Sequence, residues 1–257
     1  MHKDPKISDP APPGTYAEDI ILPCEDSGRQ IELAIFNDHR YSFFYWLKWT
    51  RKLQNGWNTP PPTLVTIDWH RDLAPPSEAE KRMLNDLHQQ NLQTVVEFTT
   101  NGLDPHNDGQ ILSAAWLNLV GDIILLKNYG MEQQDVWPDQ LDNAHQILEF
   151  RDPSRFQSEI VSRDNERFFL DIDLDYFIKN KVAPYQREKV ELYGDEEIKS
   201  LIDPNSRLFI FLQERLEGIT LATEPRYCGG IRNSNHILDI ILNQLFTPEM
   251  RWNHEPG

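Results

Sequence analysis

Short apolar runs alternate along the chain with longer polar stretches, and several of the apolar runs end abruptly in acids and histidines. The run at 64–67 reads as a buried strand and is followed by Asp68, His70 and Asp72, each two residues from the next. The run at 168–170 ends the same way, in Asp171 and Asp173, within the stretch Asp171-Ile172-Asp173-Leu174-Asp175. Period-two alternation sends such side chains to one face of a strand. At the carboxyl ends of two neighbouring strands, they converge on one crevice.

The same pattern predicts elements along the rest of the chain. Residues 20–22 form a short edge strand stopped by Pro23, and 30–36 a strand running into Asn37-Asp38-His39. Residues 41–53 have the apolar density of a buried helix, stopped by Asn55-Gly56. Pro60-Pro61-Pro62 leads into a strand at 63–67. Ser77 and Glu80 make a capping box that opens a helix to about Gln90. Residues 93–98 read as a strand, 99–109 as a loop, 110–119 as a helix and 122–127 as a strand. Residues 129–166 are polar, with one short element around 147–150. After the strand at 168–174 come a loop over 175–184 and a charged helix over 185–202. A helix opened by Asp203 and Pro204 follows, and Gly218 closes it near Glu217. A strand at 219–223 is stopped by Glu224-Pro225, and 233–246 form a last amphipathic helix before a polar tail. Strands separated by helices predict an α/β fold: a three-layer αβα sandwich with a mostly parallel central sheet.

Composition narrows this picture. At 257 residues and 39% hydrophobic, the chain suits one sizeable domain. A proline-rich flexible arm is expected over 1–17 and a single catalytic domain over 18–257. Net charge is −16, which disfavours nucleic acid and anionic membrane and attracts cationic ligands. The two cysteines, Cys24 and Cys228, are too few for a disulfide framework, so a reducing cytoplasm is expected. No stretch approaches a membrane span, and residues 1–14 lack the apolar core of a secretory signal.

Four expected strands end in chemically active residues: Asp38-His39, Asp68/His70/Asp72, Asp171/Asp173 and Glu224. In open parallel sheets, ligands bind beyond the carboxyl ends of the strands. Carboxylates with a few imidazoles favour hard divalent ions such as Mn²⁺, Mg²⁺ or Fe²⁺ over a thiolate zinc site. Bridging aspartates can hold two ions about 3.5–4 Å apart, which lowers the pKa of bound water toward neutrality. The expected reaction class is metal-assisted hydrolysis.

Residues 65–72, Val-Thr-Ile-Asp-Trp-His-Arg-Asp, resemble the Asp-Ala-His-x-Asp motif of the arginase/agmatinase (ureohydrolase) superfamily. Asp171-Ile172-Asp173 resembles its Ser-x-Asp-x-Asp motif, and Asn37-Asp38-His39-Arg40 falls where the family has Gly-Gly-Asp-His-Ser. Thr223-Glu224-Pro225 falls where the family has a strand-end glutamate that binds guanidinium. The nearest resemblance is to peptide arginases, which convert arginine in ribosomally made precursor peptides to ornithine. It implies two Mn²⁺ per chain, one held by His39, Asp68, Asp72 and Asp171, the other by Asp68, His70, Asp171 and Asp173. Asp68 and Asp171 would bridge, Asp72 would pass a proton to the leaving amine, and Glu224 would bind the guanidinium. Asn107-Asp108-Gly109-Gln110 resembles a family segment carrying a proton-shuttle histidine. Asp108 stands at the histidine's place as a substrate-binding candidate, with His106 nearby as the shuttle candidate. Phe36-Asn37 replaces the glycine pair, and Tyr176-Phe177 follow Asp175 where the family continues Asp-Pro.

The expected partner is an arginine-containing precursor peptide, since no counterpart appears of the loop residues that grip the α-groups of free arginine. Alternatives are a ureohydrolase acting on free arginine or another small guanidino compound, a mononuclear zinc deacetylase-like enzyme, and a non-catalytic scaffold that binds an arginine-rich peptide. The sequence leaves the oligomeric state open.

Overall fold

A computed structural model describes residues 9–23, 28–54, 59–180 and 190–253. Among these residues, eight strands form one sheet in the order β1-β2-β8-β7-β3-β4-β6-β5. The strands are β1 (Tyr16–Leu22), β2 (Arg29–Phe36), β3 (Thr63–Asp68), β4 (Ile123–Lys127), β5 (Gln134–Pro138), β6 (Ala144–Phe150), β7 (Phe168–Asp173) and β8 (Leu216–Ala222). β2, β8, β7, β3, β4 and β6 run parallel, and β1 and β5 close the edges antiparallel. The central strands β3, β4 and β7 are buried along their whole length, as expected of a parallel sheet covered on both faces.

Among the described residues, eight helices cover the two faces. Helices α1 (Ser42–Gln54), α2 (Glu78–Asn85), α3 (Leu92–Asn101) and α4 (Gln110–Trp116) share a core with Leu64, Ile123, Phe169 and Ala222. Helices α5 (Pro153–Val161), α6 (Asp195–Leu201), α7 (Arg207–Gln213) and α8 (Ile231–Leu245) share the other with Val65, Ile67, Phe168, Leu170 and Ile219. Neighbouring strand residues thus feed opposite cores, and the architecture is the expected three-layer αβα sandwich.

Several local expectations change. Residues 93–98, read as a strand from Val95, Val96 and Phe98, lie in α3. The Asn91 side chain accepts from the amides of Gln93 and Thr94, and Val95 and Phe98 bury on one helical face. The polar stretch 129–166 holds the edge strand β5, all of β6, and α5, capped by Asp152 with Pro153 in its first turn. Ser206, not Asp203, caps the helix after Pro204, and α7 ends at Gln213. Gly218 is no helix stop but a residue of β8. A Cβ there would lie 2.3 Å from the Trp49 ring, so the strand needs glycine where α1 presses on it. β1 begins at Tyr16, inside the range expected of the arm. Asn55-Gly56, Cys24 and residues 185–189 of the expected charged helix lie outside the described residues, and α6 begins at Asp195. Among the described residues, no helix is long and apolar enough to cross a membrane.

Candidate metal centre

Alternation along three adjacent strands builds the site. Leu64 of β3, Phe169 of β7 and Ala222 of β8 point into the α1–α4 core. Thr66 and Asp68, Asp171 and Asp173, and Thr220 therefore face the same side. β3 and β7 are paired so that Thr66 stands beside Asp171, and β8 puts Thr220 on its other flank. Beyond β2, a single 3₁₀ turn over His39–Tyr41 swings His39 over these ends, and its side chain is fully buried.

His39 Nδ1 faces three carboxylates: Asp72 Oδ2 at 2.8 Å, Asp173 Oδ2 at 3.3 Å and Asp68 Oδ2 at 3.6 Å. Its Nε2 lies 2.8 Å from Asp171 Oδ2. The ligand atoms of His39, Asp68, Asp72 and Asp173 fall within 4.8 Å of one another, as do those of Asp68, His70 and Asp175, and those of Asp173, Asp175 and Glu224. These groups share members, so the site is one continuous cluster that can hold metal ions. Asp68 Oδ2 is buried with no hydrogen-bond partner. An orphaned carboxylate oxygen aimed among other carboxylates is where a cation fits.

Two aspartates depart from the expected ligand set. Asp171 belongs to none of the three groups. Thr220 Oγ1 donates to its Oδ1 at 2.6 Å, Thr66 Oγ1 to its Oδ2 at 2.8 Å, and His39 Nε2 meets that second oxygen. Two residues before Asp173 on the same strand face, it lies about 6–7 Å deeper along the strand. It holds the far side of the His39 ring instead of joining the cluster. Asp175, absent from the expected ligands, joins two of the groups. After Asp173 the chain enters a 3₁₀ turn (Leu174–Phe177), so period two no longer governs it. That turn brings Asp175 Oδ2 to 3.3 Å from His70 Nδ1, while its Oδ1 accepts from the Trp69 amide. The third acid of the Asp171–Asp173–Asp175 series carried the signal.

The remaining expected residues divide. Asp72 accepts at Oδ2 from Gln110 Nε2 at 3.0 Å as well as facing His39. Glu224 is buried, and its Oε1 accepts from Asn107 Nδ2 at 2.6 Å and from the His39 amide at 3.1 Å. Asp72, Asn107 and Glu224 all adopt positive φ, at 47°, 61° and 33°. Three non-glycine residues in that region at one place mark backbone held against its preference, as is typical of functional sites. His106 stands apart: its side chain is 80% exposed and its Nδ1 is held by Asp104 at 2.6 Å. Asp108 is half-buried, with Oδ1 buried and unpartnered. Both line the same cavity of about 510 Å³ as His70, Asp72, Asp173, Glu224 and Tyr227. Asn107 and Gln110, which steady the two acids, come from the segment that resembled the family's shuttle region.

Burial and mutual repulsion set the charge state. Burial raises the Asp68 carboxyl well above the usual range, with Asp72, Asp175 and Asp173 adding to it. Asp173 is pushed up to about 7 by burial and by Asp175. Glu224 is raised by burial, then by Asp173 and Asp175. Burial lowers the His39 imidazole, but the charge of Asp171 and hydrogen bonds to Asp171, Asp173 and Asp72 outweigh it, so its pKa ends well above the ordinary value. Without a cation, the cluster must hold protons; a divalent ion does the same work better. Comparison with protein-family models and with curated proteins finds no match for the chain.

Proposed function

We propose that the chain is a metal-dependent amidinohydrolase that converts arginine side chains of a peptide to ornithine and releases urea. The observation that carries this reading is the buried convergence of His39 Nδ1 with Asp68, Asp72 and Asp173 around the orphaned Asp68 Oδ2, with Glu224 beside it. The donors are oxygens and imidazole nitrogens without thiolate, the set that suits Mn²⁺. Two ions fit the overlapping groups: His39, Asp68, Asp72 and Asp173 would hold one, and Asp68, His70 and Asp175 the other. When bound, such ions supply a Lewis acid and lower the pKa of water.

The chain's own residues do the rest. Glu224, its Oε1 fixed by Asn107 and the His39 amide, pairs with the guanidinium and orients its plane. Asp72, steadied by Gln110, takes a proton at Oδ2 from the attacking water and passes it to the departing side-chain nitrogen, which leaves as the ornithine amine while the guanidinium carbon departs as urea. Asp171 keeps His39 Nδ1 turned toward the cluster by accepting from Nε2–H. The cavity rim favours a peptide over a free amino acid. Tyr129, Met131 and Tyr227 stand there 62%, 78% and 38% exposed, an apolar border on which a peptide chain can lie. The excess of acids, 41 against 25 lysines and arginines, draws a cationic substrate in.

The test is mass spectrometry of an arginine-containing peptide, and separately of free arginine, after incubation with the Mn²⁺-loaded protein. A loss of about 42 Da per arginine is what hydrolysis of guanidine to amine requires. It is expected on the peptide. Loss on free arginine alone would make the chain a small-molecule ureohydrolase. No loss on either, with metal bound, would sink the amidinohydrolase reading and turn attention to acyl-lysine and scaffold roles.

A further inference from the structure

Arg71 and Asp72 are neighbours in sequence and point to opposite sides of one cavity. Asp72 turns toward His39 and Gln110. Arg71 turns toward β4 and β6, where it meets Glu149. Glu149 is 3% exposed, and its Oε1 accepts from Arg71 Nε at 2.8 Å and lies 2.6 Å from an Arg71 Nη. Its Oε2 accepts from Lys127, the last residue of β4, which pairs in register with Asp68. The buried Lys127 ammonium also donates to the Met131 carbonyl at 2.8 Å, which ties the rim at 129–131 to this group.

Two cations thus share one carboxylate, and among the described residues no other acid pairs with either. The trio carries one net positive charge beside a cluster that is strongly acidic. Both cations line the cavity that also contains Asp72, Asp173 and Glu224, and the Arg71 side chain keeps 41% of its surface exposed there. A guanidinium presents five donors in a planar fork, and Glu149 occupies one edge of it. The cavity is therefore bipolar. Its β7–β8 side suits a cation and its β4–β6 side an anion.

We infer that Arg71, braced by Glu149 and Lys127, is a carboxylate-binding subsite for the same substrate that places its guanidinium beside Glu224. This rests on the arginine-hydrolysing reading above. The carboxylate has two possible sources: an Asp or Glu next to the reactive arginine in a peptide, or the α-carboxylate of free arginine. On the peptide reading it is the acidic neighbour. The preference runs against the long-range field of the whole chain, whose net charge of −16 favours additional positive charge on a ligand. Non-specific attraction therefore cannot imitate it.

The experiment is calorimetric titration of the Mn²⁺-loaded protein with end-blocked peptides in which Glu, Gln or Lys flanks the arginine on either side. Free arginine and end-blocked arginine are titrated beside them, and urea release is measured separately. A flanking Glu should tighten binding about tenfold over Gln, the scale of one charge-assisted contact, with Lys weakest. Arg71→Gln should bring the Glu-to-Gln ratio toward one, and Arg71→Lys should keep part of it. A ratio near one in the unmodified protein, with free arginine bound no tighter than blocked arginine, overturns the subsite without needing any variant, and so does a ratio that survives Arg71→Gln. Tight binding of free arginine but not of blocked arginine, lost in Arg71→Gln, keeps the subsite and assigns it to the α-carboxylate. A Glu preference erased by Arg71→Gln with no urea formed keeps the subsite and removes the hydrolase.

Discussion

At the amino ends of the central strands, acids meet arginines. Arg163 bonds Asp122 at 2.8 Å, Glu159 at 3.0 Å and Glu166 at 3.2 Å, while Arg29 and Arg167 share Glu217. At the carboxyl ends of β3, β7 and β8, five acids, Asp68, Asp72, Asp173, Asp175 and Glu224, crowd together with two imidazoles, His39 and His70. The amino-end pairs also keep contact with water, with Glu166 37% exposed, whereas four of the five carboxyl-end acids are at most 5% exposed and Asp72 reaches 9%. One end of the sheet is electrostatically complete as it stands. The other is stable only with protons or a cation added, and that asymmetry separates a supporting end from a working one.

Removing the shared acid should break the comparison most completely. Asp68 stands in two of the three groups, so Asp68→Ala is expected to lose both metals, read as metal content by mass spectrometry. In the unmodified protein, saturating Mn²⁺ at about 100 times its dissociation constant adds about 2.7 kcal/mol, a Tm rise of roughly 5–11 °C. Asp68→Ala should show no such rise. Retention of two metals would mean that the cluster is organised around another residue.

Glu224→Gln tests the substrate side alone. Metal content should stay at the unmodified level, while turnover of an arginine peptide falls about 10²-fold, because a neutral amide pairs poorly with guanidinium. Unchanged turnover would remove Glu224 from substrate recognition.

Asp171→Asn separates a bridging ligand from a residue that steadies one. An amide can still meet Thr66, Thr220 and His39 but fixes the ring less firmly, so metal affinity should fall about 10- to 100-fold with both ions still bindable at high concentration. Complete loss of metal, equal to that in Asp68→Ala, would return Asp171 to the ligand shell.

Reading the strand ends from sequence worked where one rule governed the backbone. β3 and β7 are apolar runs buried on both faces, and alternation placed Asp68 and Asp173 on one side. Alternation says which face a residue takes, not how deep it lies, so it grouped Asp171 with Asp173 although Thr66 and Thr220 claim the deeper acid. It also fails once the strand ends, which is why the 3₁₀ turn at Asp175 and the left-handed backbone of Glu224 needed coordinates. Elsewhere, the β-branched residues Thr94, Val95 and Val96 suggested a strand where the chain forms α3 behind the Asn91 cap, and Gly218 looked like punctuation because its reason, the Trp49 ring, lies far away in sequence.

Acidity should sharpen the contrast further in the metal-free protein. Asp68, Asp173 and Glu224 have raised folded-state pKa values, Asp173 at about 7, so the folded chain keeps protons that the unfolded chain releases above about pH 4. The stabilisation from Asp173 is fully present below about pH 4 and disappears as pH rises through about 7. Thermal melts of the metal-free protein should therefore lose Tm over that interval relative to an Asp173→Asn variant, whose amide does not titrate. A flat difference between the two would mean that Asp173 is already ionised in the metal-free cluster.

The smallest effect belongs to the amino end. Arg163→Ala leaves Asp122, Glu159 and Glu166 without their guanidinium, but two of these acids keep roughly a third of their side-chain surface in water. Solvent takes over much of the lost pairing, so the cost should be about 1 kcal/mol, or roughly 2–4 °C in Tm. Metal content and the metal-induced rise in Tm should not change, because no strand-end ligand touches this network. Loss of metal affinity in Arg163→Ala would mean that the two ends are coupled through the strands, and the sheet would then have to be treated as one electrostatic unit.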